Sequence, residues 1–133
     1  MKSSARKKEV VIGLVQNSVG KDLAKNFAKT AKMVERAAQK GAQIICLQEL
    51  YNIPYFPQYS KIKNKDKYAE YIPGSSTTMF SWLAEDYGVV IIVPVFEKSK
   101  NKNGKWEYYN SAAVIDHKGK LLDTYHKIHI PED

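Results

Sequence analysis

The sequence predicts an α/β fold in which at least some strands are parallel. Two short apolar runs rich in β-branched residues flank a segment with helical periodicity, and this order implies a parallel pair joined by a right-handed crossover. A second helical pattern, another apolar run and a turn signal follow in the second half. The length of 133 residues, 44% apolar and 11% aromatic, fits one globular domain.

The first strand–helix–strand unit occupies residues 10–50. Residues 10–16, VVIGLVQ, predict a buried strand because the run is apolar and rich in β-branched residues. Asp22 is a suitable N-cap for a helix whose apolar residues recur at helical spacing until Gly41 ends the pattern. Residues 42–50, AQIICLQEL, then predict a second buried strand.

The second half predicts a long loop, a helix, a strand and a hairpin. Residues 51–74 are rich in proline, aromatic residues and lysine, and long ordered loops often carry function. A helix is predicted from about residue 77 to 87, closed by Gly88. In the apolar run at 89–96, Pro94 indicates an edge, a bulge or a strand end. A hairpin is predicted around the turn DHKG.

Charge and composition narrow the functional classes. The net charge of +7 comes from separate clusters of lysines interspersed with Asn, Ser and Gly, which is typical of solvated loops. A nucleic-acid-binding surface would concentrate positive charge on one element beside stacking aromatic residues. That pattern is not seen, so the net charge is the only feature that supports nucleic-acid binding. No apolar run reaches the roughly 18 residues that span a bilayer, and no signal peptide is evident. With one cysteine, the chain is predicted to be cytoplasmic, without nucleic-acid or membrane partners.

Two charged residues are the strongest candidates for chemistry. Glu49 stands at the carboxyl end of a predicted buried strand, where ligand sites of open α/β sheets gather. Partial desolvation there should raise its pKa toward that of a useful general base, although such a carboxylate can also cap a loop or pair with a surface lysine. Lys127 follows a strand between His126 and His129, where a buried lysine can stabilise an oxyanion. The alternative for Lys127 is an ordinary surface lysine.

Thiol and metal chemistry have weaker support. Strand alternation predicts that Cys46 and Glu49 point to opposite sides, with Leu47 on the face of Glu49. Cys46 is therefore predicted to be a small core residue and not a nucleophile. His126 and His129 should also point to opposite faces, and neither a second cysteine nor an HExxH-type pattern accompanies them. We expect no metal site, and no nucleotide-binding glycine motif is present.

Three segments in order resemble a known family. They are GAQIICLQELYNIPYFPQ at 41–58, YGVVIIVPVFEK at 87–98 and YYNSAAVIDHKGKLLDTYHKIHIPED at 108–133. Together they resemble the N-terminal half of the nitrilase (carbon–nitrogen hydrolase) superfamily, with particular likeness to N-carbamoylputrescine amidases and β-ureidopropionases. The resemblance implies a four-layer α-β-β-α sandwich. Residues 9–133 would form the N-terminal part of that domain, after a basic tail at residues 1–8.

The resemblance also implies a Glu-Lys-Cys triad that needs no cofactor. By motif match, Glu49 is the general base and Lys127 stabilises the tetrahedral intermediate. Tyr55 and His129 match positions that line or neighbour the substrate pocket, and Asn110 matches a supporting position. A cysteine thiolate would attack an amide or carbamoyl carbon, ammonia would leave, and water would hydrolyse the thioester.

One departure from the family bears on activity. The nucleophilic cysteine of the family lies in a later motif resembling CWDQWFPE, which this sequence lacks. The 133-residue chain alone is therefore expected to be inactive and marginally stable, with exposed apolar surface. The implied partners are a small N-carbamoyl or amide substrate and either further copies of the chain or a complementing C-terminal half. The alternative is a catalytically inactive fragment that acts as a regulatory or oligomerisation subunit.

Overall fold

The computed structural model describes residues 9–56 and 64–130, and over these ranges the chain forms two α-helices and five strands. The elements are β1 (Ile12–Val15), α1 (Leu23–Gln39), β2 (Ile44–Leu47), α2 (Ser75–Tyr87), β3 (Val90–Lys100), β4 (Trp106–Ile115) and β5 (Leu121–His126). A short 3₁₀ helix, Lys65–Tyr68, lies between β2 and α2. The predicted basic tail at residues 1–8 lies outside the described residues.

All five strands form one sheet that changes from parallel to antiparallel at β3. Its order is β1-β2-β3-β4-β5, with β1, β2 and β3 parallel and β4 and β5 added antiparallel. The predicted α/β fold, the parallel first pair and the β4–β5 hairpin are confirmed. The β3–β4 hairpin was not predicted. It carries β3 to Lys100, so that Lys98 and Lys100 lie in a strand and not in a loop.

Local signals set the ends of both helices. The Asp22 side chain caps α1 by accepting a hydrogen bond from the Lys25 N–H group at 3.1 Å. α2 begins at Ser75, slightly before the predicted start. It ends at Gly88, whose φ of +63° is a left-handed conformation that glycine adopts readily. In the two described ranges, no helix combines the length and hydrophobicity needed to cross a bilayer.

The two helices cover one face of the sheet and build the core there. Alternate residues of the central strands point to this face and are almost fully buried. The core includes Ile45 and Leu47 of β2, Ile91, Val93 and Val95 of β3, Ala113 and Ile115 of β4, Val34 of α1, and Phe80 and Ala84 of α2. This packing fixes the strands and therefore also the geometry of the opposite face.

The opposite face of the sheet is apolar. Around Phe96 the loop after β2 covers it, through Leu50 and Ile53, but no described element covers the rest. We call it the open face; it is made by Ile12, Leu14, Ile44, Cys46, Ile92, Val114 and Tyr125. Ile12 and Leu14 are 60% and 80% exposed. The expectation that the first strand is buried is therefore wrong. An apolar run shows that both faces of a strand suit burial, but not whether both are covered.

Pro94 lies inside the central strand, at a point where that strand is paired with β4 but no longer with β2. It pairs in register with Ala112 of β4, and its carbonyl accepts a hydrogen bond from the Tyr51 N–H group at 3.3 Å. The main-chain groups of Pro94 thus face the β2 side, where pairing with β2 has already stopped at Ile92. Because no strand needs a donor at that point, the missing N–H group leaves the sheet intact.

Candidate active site

Three side chains converge beside the open face, at the end of the sheet where β2 stops. Lys127 Nζ donates to Glu49 Oε1 at 2.8 Å, and Asn110 Nδ2 donates to the same oxygen at 2.7 Å. Glu49 follows β2, Asn110 lies in β4 and Lys127 follows β5 directly. The structure therefore brings together the two strongest candidates of the sequence and makes Asn110 a direct partner of the carboxylate.

A turn held by buried side chains presents Glu49. β2 ends at Leu47, and Leu50 adopts a φ of +50°, which takes the chain out of strand geometry. Leu50 and Tyr51 are almost fully buried, and the hydrogen bond from Tyr51 to Pro94 ties the turn to β3. On the other side, the Lys127 N–H group donates to the Asn110 carbonyl at 2.8 Å. Backbone contacts therefore hold both members of the pair.

The pKa of Glu49 shifts in the direction opposite to the prediction. Burial raises the pKa of this carboxyl, but hydrogen bonds from Lys127 and Asn110, the charge of Lys127 and a contribution from Tyr55 together lower it more. The side chain is 41% exposed, and burial, although the largest single influence on this pKa, is outweighed by the lowering contacts together. The pKa of Glu49 lies below its ordinary value of 4.5, and the expectation of a raised pKa is wrong for this chain.

Lys127 is a charged and partly exposed lysine. The hydrogen bond to Glu49 raises the pKa of Lys127, and the negative charge of that carboxylate raises it further. The side chain is 35% exposed, so the expected burial is wrong; the residue borders the open face. An ammonium held in a fixed position can donate to an oxyanion that develops beside it, and the adjacent carboxylate can accept a proton.

A shallow hollow of about 400 Å³ adjoins the pair. Its lining consists of Glu49, Pro94, Asn110, Ser111, Ala112, Tyr125 and Lys127. Pro94 and Tyr125 were not predicted as lining residues. Strand alternation would have found Tyr125, because it lies two positions before Lys127 and therefore on the same face. A hollow of this kind can admit a small molecule, and the charged pair lies at its wall.

The two predicted pocket residues differ in their placement. Tyr55 is 40% exposed and lies close enough to Glu49 and Lys127 to influence the pKa of both. His129 is exposed, and within the described residues it makes no hydrogen bond or ion pair. The structure thus brings Tyr55 to the charged pair but does not bring His129 into contact with it.

Cys46 lies on the open face, contrary to the prediction. Ile45 and Leu47 point into the core beneath the helices, so Cys46 between them points to the other side and is partly exposed. Strand alternation does not extend from Cys46 to Glu49, because β2 ends at Leu47 and the turn then redirects Glu49. Cys46 pairs with Ile92 in the register of the sheet and is not among the residues that line the hollow. Across the described ranges, no three His, Cys, Asp or Glu side chains group to hold a metal.

Comparison with known proteins decides the family. A profile of the carbon–nitrogen hydrolases matches residues 11–133. The chain belongs to the carbon–nitrogen hydrolase family. It is similar to omega-amidase NIT2-B of Xenopus laevis, with 37% identity over 122 residues that cover 90% of this chain and 40% of that protein. It is also similar to N-carbamoylputrescine amidase of Arabidopsis thaliana, with 34% identity over 99% of this chain and 42% of that protein.

Solved structures of carbon–nitrogen hydrolases share the fold. A crystal structure of a carbon–nitrogen hydrolase from Helicobacter pylori superposes with a TM-score of 0.79 at 32% identity, covering 92% of this chain and 41% of that one. The five-stranded mixed sheet and its helix layer therefore match part of the fold of known hydrolases. The chain spans about 40% of the length of the curated relatives it matches.

Proposed function

We propose that this chain is the N-terminal part of an amidase that hydrolyses a small linear amide or N-carbamoyl compound. Residues 9–133 would be one half of a four-layer sandwich, and a complementing C-terminal part would supply the cysteine nucleophile. The observation that carries the proposal is the Glu49 carboxylate, held by Lys127 and Asn110 at 2.8 and 2.7 Å beside an open hollow. The names of the relatives, omega-amidase and N-carbamoylputrescine amidase, support the substrate class.

The proposed mechanism assigns oxyanion stabilisation to Lys127 and all proton transfers to Glu49. The cysteine thiolate attacks the carbonyl carbon, and Lys127 donates to the oxyanion that forms. Glu49 accepts the proton of the thiol and passes it to the leaving ammonia, and then activates the water that cleaves the thioester. Covering the open face would remove water from Glu49 and raise its pKa, so the completed site favours a general base more than the open chain does.

We propose further that the chain has no amidase activity by itself. Cys46 pairs with Ile92 on the sheet and does not line the hollow with Glu49, so the described residues offer no thiol beside the charged pair. The single cysteine also fits a reducing compartment such as the cytoplasm. A regulatory or oligomerisation subunit is the second candidate, since the open face suits docking without chemistry.

The test is complementation. The chain is co-expressed with the part of the Arabidopsis thaliana N-carbamoylputrescine amidase that lies beyond the matched region, and ammonia release is measured with N-carbamoylputrescine and with a linear primary amide. We expect release by the pair and none by either part. Glu49→Gln and Lys127→Met should each lower kcat by about 100-fold or more. The controls Lys118→Met, an exposed turn residue, and Cys46→Ser should leave it unchanged.

Each outcome separates the two candidate functions. Ammonia release that depends on Glu49 and on the cysteine of the added part supports the amidase. A stable complex that releases no ammonia supports the regulatory or oligomerisation subunit instead. Saturable ammonia release by the chain alone would contradict the need for a complementing part.

A further inference from the structure

A second polar cluster lies on the helix side of the sheet, directly behind the charged pair. Glu97 of β3 is 8% exposed, and its Oε2 accepts a hydrogen bond from Ser111 Oγ of β4 at 2.6 Å. The same oxygen lies 2.9 Å from His126 Nε2 of β5. The His126 ring stacks on Tyr109 with centroids 4.1 Å apart and planes 9° from parallel. One carboxylate thus ties three adjacent strands together.

Strand alternation links this cluster to the candidate active site. Ser111 follows Asn110, and His126 precedes Lys127, so both partners of Glu97 have a site residue as their neighbour in sequence, pointing to the other face. Ser111 and His126 are paired in the register of β4 and β5. The next backbone contact joins Lys127 N–H to the Asn110 carbonyl at 2.8 Å. Whatever fixes His126 and Ser111 therefore also fixes the backbone that presents Lys127 and Asn110.

We propose that Glu97 is a positioning residue, which holds the middle of β4 and the end of β5 so that Asn110 and Lys127 meet Glu49. The geometric part of this proposal stands by itself; its importance for catalysis rests on the proposed amidase function. β5 is the edge strand of the sheet among the described residues, so its end has one strand neighbour to hold it. Through its contact with His126, Glu97 of β3 also restrains the end of β5 from across β4.

A carboxylate in this place could stabilise the sheet without positioning the site. The test therefore needs a measured quantity that does not depend on the free energy of unfolding. The pKa of Glu49 is such a readout, because hydrogen bonds from Lys127 and Asn110 lower it. A variant that loosens those two contacts raises the pKa of Glu49 toward 4.5 even while the chain stays folded. A variant that only lowers the free energy of unfolding leaves the pKa of Glu49 unchanged.

The experiment measures the Glu49 carboxyl titration by ¹³C NMR in the full 133-residue chain. Glu97→Gln and His126→Leu should raise the pKa of Glu49, and Ser111→Ala should raise it less. His126→Arg keeps a donor toward Glu97 and should restore the wild-type value. Glu107→Gln, which alters a nearby β4 carboxylate bonded to Tyr109, is the matched control and should not change it. An unchanged Glu49 pKa in folded Glu97→Gln, or in Ser111→Ala if Glu97→Gln does not fold, overturns the proposal.

Turnover in the complemented enzyme separates this proposal from the proposed function. If the pair is active, Glu97→Gln should lower kcat roughly 10- to 100-fold with little change in KM, as expected for misplaced reacting groups. If the wild-type pair is inactive, the proposed function fails, while the NMR titration still decides whether Glu97 positions Lys127 and Asn110.

Discussion

At Glu49, a single carboxylate oxygen accepts hydrogen bonds from an ammonium and from an amide. These contacts outweigh partial burial, so the carboxyl stays ionised to lower pH than an isolated glutamate, and Lys127 stays protonated beside it. The resting site is thus an ion pair at neutral pH. Lys127 lowers the pKa of Glu49 and so makes proton transfer from a nucleophile to Glu49 less favourable. Further burial of the site would raise that pKa and make the transfer more favourable.

The ion pair predicts a defined response to acid. Because the folded-state pKa of Glu49 is lowered, its contribution to stability is present above the unfolded value of 4.5 and is lost as pH falls below it through the folded pKa. Urea denaturation of wild type and Glu49→Gln should therefore give a difference in unfolding free energy at about pH 6.5 that shrinks at about pH 3. A difference that stays constant between the two pH values would contradict the pairing.

Among the elements, helix α2 is joined to the loop after β2 by a buried polar chain. The Tyr51 hydroxyl lies 2.6 Å from Ser76 Oγ, which donates to Glu70 Oε1 at 2.6 Å, while the Ser76 N–H group donates to Glu70 Oε2 at 2.9 Å. Burial raises the pKa of Glu70 and, more strongly, that of Tyr51. Since Tyr51 lies close after Glu49, this chain braces the turn that presents the candidate base.

Removing the Ser76 hydroxyl should weaken the connection between α2 and the loop after β2. Ser76→Ala leaves the Tyr51 hydroxyl and Glu70 Oε1 buried without this partner, which should lower the free energy of unfolding by about 1–3 kcal/mol. Urea denaturation measures the change. Ser75→Ala, at an exposed neighbouring position, is the control and should stay within about 0.5 kcal/mol of wild type. Equal losses in the two variants would argue against the network.

The whole molecule is two layers deep over the described residues, with helices on one side and the open face on the other. An apolar sheet face of this kind normally packs against another layer. The hollow beside Glu49 and Lys127 adjoins this face, so whatever covers the face also closes the hollow. Association and completion of the site are therefore two aspects of one event in the proposed enzyme.

The open face predicts self-association of the chain when no partner is present. Leu14→Glu, at a position 80% exposed, should reduce association in sedimentation velocity while changing the free energy of unfolding by about 0.5 kcal/mol or less. Trp82→Glu is the matched control, because Trp82 is 65% exposed on the helix side. If Trp82→Glu reduces association as much as Leu14→Glu, the open face is not the surface responsible.

Local patterns were enough to predict the helices, the parallel pair and the final hairpin, because caps, glycines and periodicity encode them. They also selected Glu49 and Lys127. They missed the length of β3, whose polar end is held by pairing with β4. They also misplaced Cys46, since the end of β2 depends on the turn at Leu50 and on its burial. Glu97 gave no signal of its own, because its partners come from strands far away in sequence.

In β4 and β5, successive residues point to opposite faces of the sheet, and this limits where the chain can gain or lose residues. Inserting or deleting one residue within β5 would exchange its faces, placing an imidazole where the ammonium meets Glu49 and a lysine against Glu97. The same slip in β4 would exchange Asn110 and Ser111. The loop at residues 101–105 and the turn at 116–120 can absorb length variation without that exchange, since they lie outside the paired strands. Related sequences should therefore vary in length at these connections and keep the spacing within both strands.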